Sequence, residues 1–189
     1  KELYATVSDF VWNDKNENGV QDPGEEGIPG ITVQVYDAIT KVLVAQQNTN
    51  ALGMYEFNTL LPGKYYIKVI IPSGWLFTTP NAGNAAKDSD INGSNGPGTS
   101  STFNLSGGEI NSTVDVGLVK CISVSGTVFF DINKNGYIDN GEKGINGLDV
   151  YLYEAVTNKL VAKVRTSAKP GTASDDGYYQ FPCIYAGSY

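Results

Sequence analysis

Short runs in which apolar and polar residues alternate predict β-strands near Val7–Trp12, Ile31–Ala38, Val42–Gln47, Met54–Leu60, Tyr65–Ile71, Ser101–Leu105 and Ser112–Val119. No stretch carries the helical period. Between the runs stand turn signals such as Leu61-Pro62-Gly63-Lys64 and Ile71-Pro72-Ser73-Gly74, where proline presets φ and glycine supplies left-handed freedom. Asn92–Thr99 reads as a polar, glycine-rich loop.

The pattern then repeats. Val11 to Ala45 returns at Val128 to Ala162 without a gap, so that Val11-Trp12-Asn13-Asp14 aligns with Val128-Phe129-Phe130-Asp131 and Gly27-Ile28-Pro29-Gly30 with Gly144-Ile145-Asn146-Gly147. After an insertion over residues 167–174 the match resumes, pairing Gly53-Met54-Tyr55-Glu56-Phe57 with Gly177-Tyr178-Tyr179-Gln180-Phe181 and Gly63-Lys64-Tyr65 with Gly187-Ser188-Tyr189. The expected fold is all-β: two tandem immunoglobulin-like or prealbumin-like β-sandwiches. Residues 1–119 form a complete one, and residues 120–189 the first half of a second, incomplete as given. Only Leu118-Val119-Lys120-Cys121 joins the copies, without a Gly, Pro or Ser tract, which predicts a stiff pair.

Composition narrows the function. A net charge of -7 with no histidine leaves no basic face for phosphates, so neither nucleic acid nor an anionic membrane surface is an expected partner, whereas divalent cations are. Losing histidine also removes the commonest general base and zinc ligand, and no nucleophile, base and orienting group share a meaningful spacing. A non-enzymatic role is expected. No apolar run is long enough to span a bilayer, and Lys1 does not open a signal peptide, so such signals are expected outside this chain. Cys121 and Cys183 could close one disulfide or remain two buried thiols.

One loop carries chemistry. Asp14-Lys15-Asn16-Glu17-Asn18-Gly19-Val20-Gln21-Asp22-Pro23-Gly24-Glu25 matches a calcium loop position by position. Asp14, Asn16 and Asn18 stand at one, three and five, Gly19 at six, the Val20 carbonyl at seven, Asp22 at nine and Glu25 at twelve. The second copy keeps the ligands as Asp131, Asn133, Asn135, Tyr137, Asp139 and Glu142 while changing the residues between them. Isolated Asn/Asp/Gly-rich stretches are usually solvated turns; two in one register point to Ca2+. Magnesium prefers a smaller shell with retained waters. A further calcium site is expected at Asp88 and Asp90 with Asp37 or Asp115, the alternative being a solvated acidic loop; the second copy has Glu154 in place of Asp37.

Asp9-Phe10-Val11-Trp12-Asn13-Asp14 through Gly27-Ile28-Pro29-Gly30-Ile31-Thr32-Val33, with Gly53-Met54-Tyr55-Glu56-Phe57, Leu61-Pro62-Gly63-Lys64-Tyr65, Asp88-Ser89-Asp90 and Val114-Asp115-Val116-Gly117-Leu118, resembles the B-repeat of the serine-aspartate-repeat adhesins of staphylococci. That repeat is a relative of the collagen-adhesin B-type sandwich. The resemblance implies an extracellular, cell-surface calcium-binding spacer whose partners are neighbouring repeats. It places the calcium role on the loop residues just named. The cysteine pair and the insertion near Lys169-Pro170-Gly171 depart from the usual pattern. Some related sandwiches carry a Lys–Asn isopeptide bond, for which the first copy offers no Asn in Val114-Asp115-Val116-Gly117-Leu118.

Two other readings compete. Trp12, Trp75 and the many tyrosines could make a carbohydrate-binding module, although Phe129 at the Trp12 position suits core packing better. The half-length second copy fits either a piece of a stalk or a fibre subunit completed by a strand from an identical neighbour, which would build a head-to-tail polymer.

Overall fold

A computed structural model describes residues 3–172, 174 and 176–189, and every regular element among them is a strand. Of the insertion, Ala173 lies outside the described residues. The chain divides into two compact units, Lys1–Lys120 and Cys121–Tyr189.

The first unit contains β1 (Ala5–Asn13), β2 (Thr32–Asp37), β3 (Leu43–Asn48), β4 (Met54–Leu60), β5 (Gly63–Ile70), β6 (Trp75–Phe77), β7 (Phe103–Leu105), β8 (Ile110–Asn111) and β9 (Val116–Lys120). One sheet runs β4-β1-β9-β6, with β8 also on β1, and the other runs β3-β2-β5-β7. Alternation decides which side chains fill the space between them. Val33 and Val35 of β2 are fully buried, as are Val7 and Val11 of β1, while Gln34 faces outward and its amide donates to Gln46 on β3. Tyr55 and Phe57 from β4, Ile67 and Val69 from β5, and Val116 and Leu118 from β9 complete the core.

Two strand expectations need correction. Trp75–Phe77 forms an edge strand too short to show alternation in sequence. The run Ser112–Val119 is strand only from Val116, in β9; β8 ends before it, and both strands lie parallel to β1 with a break between them. Inside that break the Asp9 carboxylate takes the Val114 amide at 2.7 Å, so a side chain replaces a rung of the ladder.

The repeated glycines mark a crossing. The Val11 amide donates to the Gly53 carbonyl and the Ile28 amide to the Val11 carbonyl, both at 2.8 Å, so three segments meet with no room for side chains. A Cβ on Gly27 would lie 1.9 Å from the Leu52 carbonyl oxygen, and one on Gly53 would lie 2.5 Å from that of Val11. The second unit has the same crossing, with Val128 donating to Gly177 at 2.9 Å and Ile145 to Val128 at 2.8 Å.

That unit contains β10 (Ile122–Thr127), β11 (Asp149–Tyr153), β12 (Leu160–Arg165) and β13 (Tyr178–Ile184), paired antiparallel as β10-β13 and β11-β12. Val124 faces Phe181 as Val7 faces Phe57, so β10 and β13 reproduce the register of β1 and β4. Cys121 and Cys183 are joined as a disulfide beside the Ile122–Ile184 pair.

Candidate metal centres

The first loop leaves β1 at Asp14, whose side chain is buried. Asp14 Oδ2 accepts from the Gly19 amide at 2.7 Å and from the Thr78 hydroxyl at 2.5 Å, while Oδ1 accepts from the Asn18 amide at 3.3 Å. Asn16 Oδ1 takes the Asn18 amide at 3.1 Å and Asn18 Oδ1 takes the Val20 amide at 2.7 Å, two local turns of the kind short polar side chains favour. Both Asn side-chain nitrogens then donate to Asp22 Oδ2 at 2.8 Å. These two donors hold the Asp22 carboxyl below its usual range. Glu25 closes the loop by accepting from the Lys15 amide at 2.8 Å and the Asp22 amide at 3.0 Å, one through each oxygen. Gly19 turns with φ +80°, and a Cβ there would lie 2.3 Å from the Thr79 carbonyl oxygen.

The second loop repeats the bonds made within the first. Asn133 and Asn135 donate to Asp139 Oδ2 at 2.7 and 2.6 Å, Glu142 accepts from Ile132 at 2.8 Å and Asp139 at 3.0 Å, and Asp131 accepts from Asn135 at 3.2 Å and Gly136 at 2.9 Å. The Tyr137 amide donates to Asn135 Oδ1 as Val20 does to Asn18. The loops differ in their surroundings. Gln21 donates to the Lys87 carbonyl at 2.7 Å and Ser89 to the Gly19 carbonyl at 3.2 Å, so residues 78–89 buttress the first loop, whereas Asp131 receives its bonds from its own loop.

Both loops supply hard oxygen donors: three carboxylates, two amide oxygens reached by turning each amide about its terminal bond, and a backbone carbonyl at Val20 or Tyr137. That donor set suits calcium, not zinc or copper. Among the described residues no group of three or more His, Cys, Asp or Glu side chains forms a cage. In these loops amides stand between the carboxylates, each of which is held by donors of the loop.

Of the two partners expected beside Asp88 and Asp90, the structure brings up Asp115 and not Asp37. Asp37 turns back on the β2–β3 turn, where Oδ1 accepts from Ile39 at 2.8 Å and Thr40 at 2.7 Å, and Glu154 holds the matching turn in the second unit. It therefore does not join Asp88, Asp90 and Asp115. Asp9 takes its place, which the sequence pattern concealed because Asp9 sits in the middle of a strand. The Asp115 amide donates to Asp90 Oδ2 and the Asp90 amide to the Asp115 carbonyl, both at 2.9 Å, beside the Asp9–Val114 bond. Asp88 accepts from the Gly83 amide at 2.9 Å. Asp115 Oδ2 is buried and has no donor.

Burial first, then Asp9, Asp90 and Asp88, push the Asp115 carboxyl up to about 9; burial, then Asp88 and Asp9, push Asp90 up to about 7. Burial raises Asp9 as well, against the hydrogen bond it shares with Asp115. A proton on Asp115 bridging to Asp9 supplies the donor that two ionised carboxylates lack. The Tyr55 hydroxyl closes the group by donating to the Val114 carbonyl at 2.6 Å. The second unit has Gly126 at the Asp9 position.

The aromatic residues offered as sugar platforms divide between core and surface, with Tyr4, Tyr137, Tyr151, Tyr153, Tyr185 and Tyr189 exposed. Trp12 is fully buried, Tyr55 and Tyr65 nearly so, and Lys120 sits over the Trp75 ring at 5.5 Å. No helix among the described residues is long and apolar enough to cross a membrane.

A family model for the SdrD B-like domain matches residues 5–118 and again 122–189. Serine-aspartate repeat-containing protein F of Staphylococcus epidermidis (strain ATCC 12228 / FDA PCI 1200) is 34% identical over 191 residues, covering 100% of this chain and 11% of that protein. Protein I of the same series from Staphylococcus saprophyticus is 32% identical over 97% of this chain and 9% of its own length. Protein D of Staphylococcus aureus (strain Newman) is 34% identical over 100% of this chain and 13% of its own. The chain thus spans only about a tenth of these relatives. Among solved structures, a streptococcal ancillary pilin aligns with 97% of this chain and 51% of its own at 11% identity and a TM-score of 0.46.

Proposed function

The chain belongs to the SdrD B-like domain family, and from that premise we propose that it is a calcium-stiffened structural segment of a bacterial cell-surface protein, working outside the cell as a spacer. The observation that carries this reading is the hydrogen-bond network shared by the two loops across different intervening residues. Asp14, Asn16, Asn18, Asp22, Glu25 and the Val20 carbonyl would hold one ion; Asp131, Asn133, Asn135, Asp139, Glu142 and the Tyr137 carbonyl would hold the other. The ion's contribution is charge neutralisation and crosslinking of loop oxygens, which lowers the free energy of the folded state alone. A third place for a cation is the group of Asp9, Asp88, Asp90 and Asp115, where an ion would have to displace the proton that Asp115 shares with Asp9.

Neighbouring repeats, or identical subunits added through strand edges, are the partners this role calls for. The test is thermal melting and light scattering in millimolar calcium and in chelator. Higher melting of both units with calcium supports the spacer; equal melting in both buffers removes the calcium reading. A calcium-dependent rise in mass would turn the spacer into a polymerising subunit.

A further inference from the structure

We infer that Asn140, in the second loop, is a site of spontaneous deamidation set apart by the fold from every other Asn–Gly pair in the chain. The sequence contains six such pairs, each with the flexible, small following residue that lets a backbone nitrogen reach the asparagine side chain. The attacking nitrogen must be free to leave its hydrogen bond, and in five pairs it is held. Gly19 donates to Asp14 Oδ2 at 2.7 Å, Gly136 to Asp131 Oδ2 at 2.9 Å, Gly93 to the Thr99 carbonyl at 2.8 Å, Gly96 to the Gly93 carbonyl at 3.0 Å and Gly147 to the Thr166 carbonyl at 2.8 Å.

Gly141 differs. Among the described residues neither its amide nor the Asn140 side chain makes a hydrogen bond, both residues are exposed, and open space surrounds the Gly141 Cα. In the first loop the same two positions are Pro23-Gly24, where no side-chain amide exists to react.

The step balances with water alone. The Gly141 nitrogen attacks Asn140 Cγ, the Cγ–Nδ2 bond breaks, and the Gly141 proton leaves with the departing ammonia, giving a cyclic imide. Water then opens the imide at one carbonyl to aspartate or at the other to isoaspartate. Either product puts a new carboxylate between Asp139 and Glu142. Isoaspartate also lengthens the main chain by a methylene, which disturbs the 3.0 Å bond from the Asp139 amide to Glu142. The second loop therefore ages faster than the first, whose Asn18–Gly19 pair is held. Its effect on ion binding rests on the calcium reading; the location of the reaction does not.

The test is peptide mass mapping of the whole chain aged in warm, mildly alkaline buffer, with calcium and with chelator. Asn140 is expected to convert roughly tenfold faster than the five held pairs, the factor a net hydrogen bond imposes, and the difference is expected to vanish when the chain is unfolded in denaturant. Asn140→Pro, which copies the first loop, removes the fast phase, and Asn140→Gln does so without constraining the backbone. Faster conversion at Asn92 or Asn95, or equal rates at all six sites in the folded chain, would overturn the assignment. A calcium effect on the rate speaks to the metal reading alone.

Discussion

The Thr78 hydroxyl donates at 2.5 Å to Asp14 Oδ2, fixing the first residue of the first loop from 64 residues away. Both groups are buried, so the bond cannot be replaced by water without opening the unit. Thr78→Val keeps the shape and removes the donor, and the expected cost is about 2 kcal/mol to the first unit, as for a buried bond to a charged group. Calorimetric unfolding of the full chain checks it, with the second unit's transition as internal reference. An unchanged first transition would show that Asp14 is held by its own loop alone.

Glu25 and Glu142 each accept two amides of their own loop. Glu25→Gln and Glu142→Gln remove one negative oxygen from each candidate site. Titration calorimetry is expected to show each variant losing one calcium-binding event while keeping the other. If both loops bind, every tenfold rise in free calcium above the dissociation constant adds about 1.4 kcal/mol of stability per site. Loss of neither event would move calcium away from these loops.

The repeat, the strand pattern and the fold class were readable because they live in local alternation and in a long gapless register, from Val11-Trp12 to Val128-Phe129. What escaped is held by contacts across the sheets. Asp9 looked like an outward-facing strand residue, yet it fills the gap between β8 and β9 and meets Asp115. Asp37 looked available for a metal, yet its own turn uses it. β6 is three residues long and forms only because β9 offers an edge. Trp12 is identifiable as core through its Phe129 counterpart, whereas Thr78 carries no signal at all in sequence.

The crossing of Val11, Gly27 and Gly53 leaves no space for a methyl group. Gly53→Ala adds both a contact at 2.5 Å with a backbone oxygen and an alanine at φ +83°. The first unit is expected to lose roughly 3 kcal/mol or more, a size reserved for steric conflict with backbone. Gly24→Ala is the control: its φ is +96° with nothing near the added carbon, and about 1 kcal/mol of backbone strain is expected. Similar losses for the two, measured by denaturant unfolding, would contradict the crossing as the cause.

Asp115 and Asp90 make calcium-free stability depend on pH. Their folded-state values lie at about 9 and about 7, above the 3.8 of an ordinary aspartate. The folded chain therefore binds more protons than the unfolded chain between these limits. Stability from this group is fully present below pH 3.8 and is lost as pH rises through the folded values. In chelator, the first unit should melt higher near about pH 5 than near about pH 8. Asp115→Asn combined with Asp90→Asn keeps both side chains neutral at every pH and is expected to flatten the slope. A slope that survives these substitutions would assign the dependence elsewhere.

The disulfide bears most on the second unit, whose buried apolar side chains among the described residues are Phe181 and Ile184. A core that small leaves little apolar burial to offset chain entropy, and the crosslink closes a loop with a sequence separation of 62. On the chain-entropy account that closure contributes about 4 kcal/mol, comparable with the whole stability of a small unit. Cys183→Ser, or reduction of the native chain, is therefore expected to unfold the second unit or lower its transition steeply. The first unit, whose core contains no cysteine, should melt as before. Scanning calorimetry of the full chain with and without reductant separates the two transitions. A second unit that melts unchanged after reduction would mean that the β10–β13 and β11–β12 ladders suffice, and the bond between Cys121 and Cys183 would then be a consequence of the fold and not a support for it.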